Sequence, residues 1–314
     1  MNKAIVFLNM GGPSNLDEVE LFLKNMFNDI NILSIKSDFL RSLLASFIVY
    51  RRKDEAKSNY RKIGGKSPIN DITKSLVVKT QKYFESKQNN IYVTHCMRYT
   101  PPYASDIIKD LKNNSIEEVV LLPLYPQYSS TTTKSSIDDF VDEMNRAETV
   151  FEIKIINNFY KNRLFNSAIV DEIYNRVHQY DGKYNLIFSA HGLPQSIIDG
   201  GDVYEDEIKN HIEILKDDML HKGMEFESIS LAYQSKVGPM KWLEPSLETV
   251  LQRFDGKDVL IYPISFIIDN SETDYELSIE YKEVANKIGI SRYEVCRCVN
   301  DNDTFIEAIE DIIF

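Results

Sequence analysis

"NLIFSAHGLP", residues 185–194, is an apolar run that closes on a histidine, a glycine and a proline. A run of this length, bounded by residues that force a turn, reads as a buried strand delivering one titratable side chain to its carboxyl end. The same outline occurs at residues 5–13, "IVFLNMGGP", with Met10 standing where His191 stands. Two further strand exits repeat in the same order: "THCMRY" with "AYQSKVGP", and "VVLLPLYP" with "VLIYPISF". Three echoes in one order imply a duplicated unit.

Short aliphatic runs alternate with longer amphipathic stretches along the whole chain, the rhythm of βα units around a mostly parallel sheet. The strand candidates are 3–9, 91–96, 118–124 and 153–157, then 185–190, 228–233, 258–264 and 293–298. The predicted fold class is α/β: two similar Rossmann-like domains, each with a four-stranded, mostly parallel sheet, facing across a cleft. The expected boundaries are 1–160 for the N-terminal domain and 161–301 for the C-terminal domain. A last helix at 302–314 is expected to pack on the first half. Roughly forty more residues separate the first two strands in the first half than in the second, which marks an insertion, a lip, between about 28 and 70. Ligands of open α/β sheets bind beyond the carboxyl ends of the strands, so the repeated exits are the place to look for a site.

Composition narrows the function. The 314 residues are 43% hydrophobic, enough to fill sizeable cores, and carry 36 basic against 48 acidic groups for a net charge of −12, which repels nucleic-acid phosphates. Three cysteines, Cys96, Cys296 and Cys298, fit neither a disulfide framework nor a four-thiolate metal site and suit a reducing cytosol. No apolar run approaches the ~20 residues that cross a bilayer.

Two charge clusters stand against this background. Between Arg41 and Lys66 there are eight basic and two acidic residues, behind an apolar helix-like stretch. It reads either as a solvated face or as a lip offering apolar side chains and cations to a hydrophobic, carboxylate-bearing ligand or a bilayer surface. From 269 to 283 there are six acidic groups and one lysine, and at ~100° per residue Asp269, Glu272, Glu276, Glu280 and Glu283 share about one quadrant of a helix. This row is either an exposed acidic face or an oxygen-lined path for a hydrated divalent cation. It begins directly after the exit "YPISFIID". His191 is either a satisfied core histidine or the proton acceptor of a cleft, because imidazole titrates near neutrality. The other four histidines have no comparable context, His178, His211 and His221 lying in charged helical stretches. "SSTTTKSS" at 129–136 lacks the glycines of a phosphate loop and reads as turn and capping chemistry.

Taken together, "LNMGGP", "IGGKSPI", "LPLYPQYSSTTT", "FSAHGLP", "YQSKVGPMKWLEP" and "YPISFIIDNSETDYELSIEY" resemble the ferrochelatase family over nearly the whole length. The resemblance implies insertion of ferrous iron into protoporphyrin IX to give protohaem. It implies His191 and Glu272 as the iron and proton-transfer site, Glu276 as a further metal ligand, and Asp269 and Glu280 as a candidate metal relay. Met10 matches the methionine that faces the macrocycle in protoporphyrin-using members. Arg98, Tyr99, Tyr125, Ser129, Trp242 and Phe266 match porphyrin-pocket positions, while Arg52, Tyr60, Ser67 and Ser235 match groups that meet or border the propionates. Partners are then protoporphyrin IX and Fe²⁺, with no nucleic acid. The expected setting is the cytoplasm, with peripheral contact at the inner membrane face through residues 39–53. No permanently bound cofactor is expected, and no iron-sulfur cluster, since Cys296 and Cys298 lie on a predicted strand. Three positions depart from the family pattern: Asn270 replaces a usual histidine, Asp274 an aliphatic residue, and Glu55 a frequent lysine. Rival readings are a coproporphyrin III ferrochelatase, a smaller cobalt-inserting chelatase and a non-catalytic porphyrin or haem carrier.

Overall fold

Strand β1 (Lys3–Asn9) is buried from Ala4 to Asn9, so both of its faces are covered, as in a parallel sheet with helices on either side. In the computed structural model, which describes residues 2–178, 180, 182–236, 238 and 240–314, β1 lies between β2 (Ile91–Met97) and β3 (Glu118–Pro123). Strand β4 (Glu152–Ile155) adds beyond β3, and every pairing is parallel. The second sheet repeats this plan with β5 (Asn185–His191) between β6 (Ser228–Gln234) and β7 (Asp258–Pro263), and β8 (Arg292–Val295) beyond β7. The orders β2-β1-β3-β4 and β6-β5-β7-β8 are the same permutation, so the sequence echoes correspond to equivalent corners of two sheets.

The chain divides into two compact units, residues 1–158 with Ile313, and residues 159–312 with Phe314. In the first, Ala4, Val6 and Leu8 pack with Ile108, Leu111, Val119, Leu121 and Phe140. In the second, Ile187, Val259 and Ile261 pack with Leu247, Val250, Leu251 and Leu277. Alternate residues of each central strand therefore build one core layer, and the residues between them build the layer on the opposite face. The terminal helix (Asp303–Ile313) sets Phe305 beside Phe165 and Phe159 of the second unit, with ring centroids 5.6 and 6.4 Å apart, while Ile313 at its end groups with the first unit and accepts from Lys154 Nζ at 2.6 Å.

The eighth strand is shorter than predicted. Cys296 N–H still reaches Ile261 O at 2.8 Å, but Cys298 N–H turns to the Asp269 carboxylate at 3.0 Å, so a side chain replaces the ladder and the strand ends at Val295. Cys296 and Cys298 thus lie past the strand, both buried, and burial pushes both thiols up. The insertion folds as one 25-residue helix (Asp38–Lys62), N-capped by Ser37 Oγ, which accepts from Leu40 N–H. Ala45, Val49 and Tyr60 are its buried residues, whereas Phe39, Leu40, Leu43, Leu44, Phe47 and Tyr50 are exposed. Among the described residues no helix is long and apolar enough to cross a membrane.

His211, which lies in a charged helical stretch as read from the sequence, is fully buried, with Nε2 2.9 Å from Asn166 Oδ1 and its ring stacked on Phe165. Burial lowers its pKa to about 3. The folded protein therefore holds His211 neutral, while the unfolded chain takes up a proton below its ordinary value of ~6.5. Stability from this group is present above pH ~6.5 and is lost as pH falls toward 3, by at most about 1.4 kcal/mol per pH unit. His211→Gln should lose about 1–2 kcal/mol less than the parent between pH 7 and 5 in urea unfolding. Equal losses in the two proteins would show that His211 is not the group responsible.

Candidate functional site

The site of the second unit starts with the backbone of His191, the last residue of β5. His191 N–H donates to Ser265 Oγ at 3.0 Å, and Tyr204 O–H donates to His191 O at 3.0 Å. With the tyrosine proton committed, the 2.6 Å contact between the two hydroxyls must run from Ser265 O–H to Tyr204. The three bonds close a ring that fixes the residue before its side chain is considered. The following glycine is also explained: Gly192 N–H bonds Gln234 O at 2.9 Å, and a Cβ at residue 192 would sit 2.6 Å from that oxygen. Trp242 lies on the other side of this approach, at 3.4 Å from the same imagined Cβ, with its backbone bridged to Pro194.

The His191 imidazole meets Glu272 through Nδ1, 2.8 Å from Oε2. A carboxylate accepts, so Nδ1 carries the proton and Nε2 of the neutral ring carries the lone pair. Glu272 Oε2 also accepts from Gln234 Nε2 at 3.1 Å and from Ser235 Oγ at 3.0 Å. Gln234 stands opposite His191 in the parallel register, and Ser189 O–H donates to its Oε1 at 2.6 Å, which turns the amide nitrogen toward Glu272. Phe266 presents its ring edge-on to the imidazole, with centroids 6.4 Å apart.

Glu272 opens a π-helical segment (Glu272–Glu280), confirmed at its end by Tyr281 N–H bonding Glu276 O five residues back. Such wide turns are rare and concentrate at functional sites. Asn270 is buried and has a local job: its Oδ1 accepts from Glu272 N–H at 2.7 Å, and its Nδ2 donates to Ile268 O at 3.2 Å. This side-chain turn fixes the backbone at Glu272.

Ser235 Oγ lies 2.7 Å from Glu276 Oε2 as well as 3.0 Å from Glu272. One hydroxyl proton cannot serve two ionised carboxylates, so the arrangement is complete when Glu276 is protonated and donates to Ser235, which donates to Glu272. Burial and the neighbouring Glu272 charge raise Glu276 to about 7, which puts that proton in play near neutrality. Burial acts to raise Glu272, but the imidazole and the hydroxyl and amide donors outweigh it and hold its pKa below the usual value. For His191 burial acts downward, and the Glu272 carboxylate, with Glu276 behind it, moves the net direction up. The side chains are 37% and 21% exposed for His191 and Glu272, open enough for a substrate to reach them.

Ser235 lies with the acidic cluster, its hydroxyl on Glu272 and Glu276. Asp269 is 6% exposed, and its two oxygens accept from Cys298 N–H at 3.0 Å and from Asn300 Nδ2 at 2.8 Å. Glu280 is exposed, and its charge contributes to the rise at Glu276, so it keeps its place in the row. Among the described residues no three His, Cys, Asp or Glu side chains converge as a metal-holding group, so His191, Glu272 and Glu276 do not form a preassembled three-ligand site.

In the first unit, Met10, Tyr60 and Tyr99 meet in one apolar cluster with Val19, Phe22 and Val49. Tyr60 is therefore packed by its ring into that cluster. Ser67 is likewise buried, its N–H on Pro13 O at 2.8 Å and its side chain against Gly12. Tyr125 is buried with its hydroxyl 3.4 Å from Ser136, and Ser129 caps the π-turn at Ser130–Lys134 by accepting from Thr131 N–H. Arg98 is fully engaged inside its own unit, on Asp29, Asp139 and Ser135. Arg52, on the lip helix, is half-buried. Sequence reasoning missed Gln234 and Asp29. Gln234 was signalled only by its place before Ser235 in "YQSKVGP", and Asp29 by nothing in "MFNDIN".

Two like-ordered parallel sheets with an imidazole and carboxylates at one set of strand ends define a chelatase-like protein. SirB from Bacillus subtilis, solved with Fe³⁺, matches with a TM-score of 0.57 over 100% of this chain and 94% of its own, at 9% identity, a likeness of fold. CbiX, described as the terminal enzyme for biosynthesis of sirohaem in denitrifying bacteria, gives 0.54 over 100% and 98%, also at 9% identity. The ferrochelatase family model matches residues 2–314. The ferrochelatases of Nitratiruptor sp. and Sulfurimonas denitrificans are 51% and 50% identical over 311 residues, spanning 99% of this chain and 98% of each relative. The chain belongs to the ferrochelatase family, enzymes that insert a metal ion into a porphyrin.

Ser235 holds a left-handed backbone, φ +67°, which a side-chain-bearing residue adopts at a cost of about 1–2 kcal/mol. Ser235→Gly should therefore be more stable to urea than Ser235→Ala by about 1 kcal/mol, while both lose turnover with the hydroxyl. Equal stability of the two variants would refute the strain, and parental turnover in either would refute the bridge.

Proposed function

We propose that this chain inserts ferrous iron into protoporphyrin IX, the last step in forming protohaem, with His191 as proton acceptor and Glu272 as the first iron carboxylate. The observation that carries the reading is the His191 Nδ1 to Glu272 contact of 2.8 Å. It leaves the basic Nε2 lone pair directed away from the carboxylate that holds the ring. Two pyrrole protons must leave as iron enters, so a group that accepts a proton near neutral pH lowers the barrier. Nε2 takes the first proton, and the imidazolium that forms is stabilised by Glu272. Glu276 and Glu280 lead hydrated Fe²⁺ toward Glu272 by exchanging water for oxygen ligands. Iron is a substrate here, and the reading needs no resident cofactor.

Protoporphyrin is favoured over coproporphyrin III by the half-buried Met10, packed with Tyr60 and Tyr99 into an apolar surface suited to vinyl groups and not to extra carboxylates. Tyr99, Tyr125, Trp242 and Phe266 would supply aromatic wall, and Arg52 a cation for the propionates. The exposed Phe39, Leu43, Phe47 and Tyr50, next to Arg51 and Arg52, would seat the lip helix peripherally on an anionic bilayer. Phe47→Ser with Tyr50→Ser should then abolish co-sedimentation with anionic vesicles, and retained binding would remove the lip from that role.

Anaerobic incubation with Fe²⁺ and either porphyrin should give the haem spectrum fastest with protoporphyrin. Faster metallation of coproporphyrin III would transfer the reading to that substrate, and binding without metallation would make the chain a carrier. His191→Ala should lower kcat by 10²-fold or more, in the usual range for losing a general base, with porphyrin binding intact. Glu272→Gln should raise the iron concentration needed for half-maximal rate. Near-parental kcat in the first, or an unchanged iron dependence in the second, would remove that residue from its role.

A further inference from the structure

Asp29 has no place in the chemistry described so far, yet its side chain is fully buried and has five hydrogen-bond donors around it. Oδ2 receives Tyr99 O–H at 2.9 Å, Arg98 Nη2 at 3.3 Å and the Ser135 hydroxyl. Oδ1 receives Asn31 N–H at 2.8 Å and Asn31 Nδ2 at 3.2 Å. A buried carboxylate is retained only where its charge is met, and here Arg98 meets it. The donors come from three separate corners: the start of the lip, the exit of β2, and the residue after the π-turn that follows β3.

We propose that Asp29 is a positioning residue for the porphyrin-facing corner of the first domain. Its carboxylate sets Tyr99, Arg98 and Ser135 together and ties them to the root of the lip helix. The proposal rests on the reading of Tyr99 as macrocycle wall. Tyr99 is otherwise held by its backbone, N–H on Met10 O at 3.0 Å and carbonyl under Asn25 Nδ2 at 2.9 Å, and by its ring edge-on to Phe22 at 6.2 Å. Arg98 also lies over its ring, 5.4 Å from the centroid, and Asp29 holds both that guanidinium and the Tyr99 hydroxyl. On the lip side, the Asp29 carbonyl accepts from Leu33 N–H at 2.8 Å, closing the turn. The preceding Asn28 carbonyl accepts from Arg41 Nε at 2.7 Å, from the first turn of the lip helix. The same short segment therefore anchors the lip and aims Tyr99.

The test is anaerobic kinetics of the full chain with Fe²⁺ and protoporphyrin, for Asp29→Asn, Tyr99→Phe, their double variant and Tyr99→Leu. An amide keeps the shape but has one acceptor oxygen and cannot accept from all five donors, so Asp29→Asn should raise the porphyrin KM about fivefold or more, the loss of roughly one hydrogen bond, with the iron KM within about twofold. In the Tyr99→Phe background the same change should have at most about half of that effect on a logarithmic scale. An equal factor in both backgrounds, or equal rises in both KM values, would overturn the positioning role. So would an unchanged Asp29→Asn beside a Tyr99→Leu that raises the porphyrin KM. An unchanged porphyrin KM in Tyr99→Leu would instead overturn the wall reading, and the proposal with it. Should Asp29→Asn not fold, Ser135→Ala removes a single donor and is read by the same criteria.

Discussion

The hydrogen bond from His191 Nδ1 to Glu272 Oε2 decides which imidazole nitrogen is spent on the protein and which is left for chemistry. Much of the second domain can be understood as support for it. The closed ring of His191, Ser265 and Tyr204 fixes the donor, and Ser189 through Gln234, together with Ser235 and Asn270, fixes the acceptor. Most members lie toward strand ends or in the turns after them, with Tyr204 opening a helix, and parallel strands hold those ends in register.

The same bond organises the electrostatics. A second carboxylate behind a paired one is unfavourable, and the strain is relieved by leaving Glu276 protonated near neutrality, about 7, with the single Ser235 proton between the two. Arrival of a dication would reverse that preference, releasing the Glu276 proton and recruiting its oxygens. The left-handed Ser235 and the π-helical turn at Glu272 both give up backbone comfort at this contact.

The fold was largely legible because it follows from patterns that sequence carries directly: eight apolar runs with turn residues after them, repeated in order. The row Glu272, Glu276 and Glu280 was legible for the same reason. The helical quadrant that also admitted Asp269 assumed an α-helix through residue 269, whereas the turn begins at Glu272 and Asp269 is captured by Cys298 and Asn300. Hydrogen-bond partners distant in sequence were not legible. Nothing in a string marks that Arg98 is consumed by Asp29 and Asp139, or that Tyr60 turns into an apolar cluster. His211 does lie in a charged helix, but the sequence does not show that residue 211 faces inward onto Asn166 and Phe165.

The central claim is that Glu272 holds the His191 proton on Nδ1. Histidine side-chain ¹⁵N NMR across pH 5–9 on the metal-free protein tests it most directly. The account predicts that neutral His191 is the Nδ1–H tautomer, that its pKa lies above 6.5, and that both features vanish in Glu272→Gln. A neutral His191 protonated on Nε2, or one indifferent to Glu272, would contradict it.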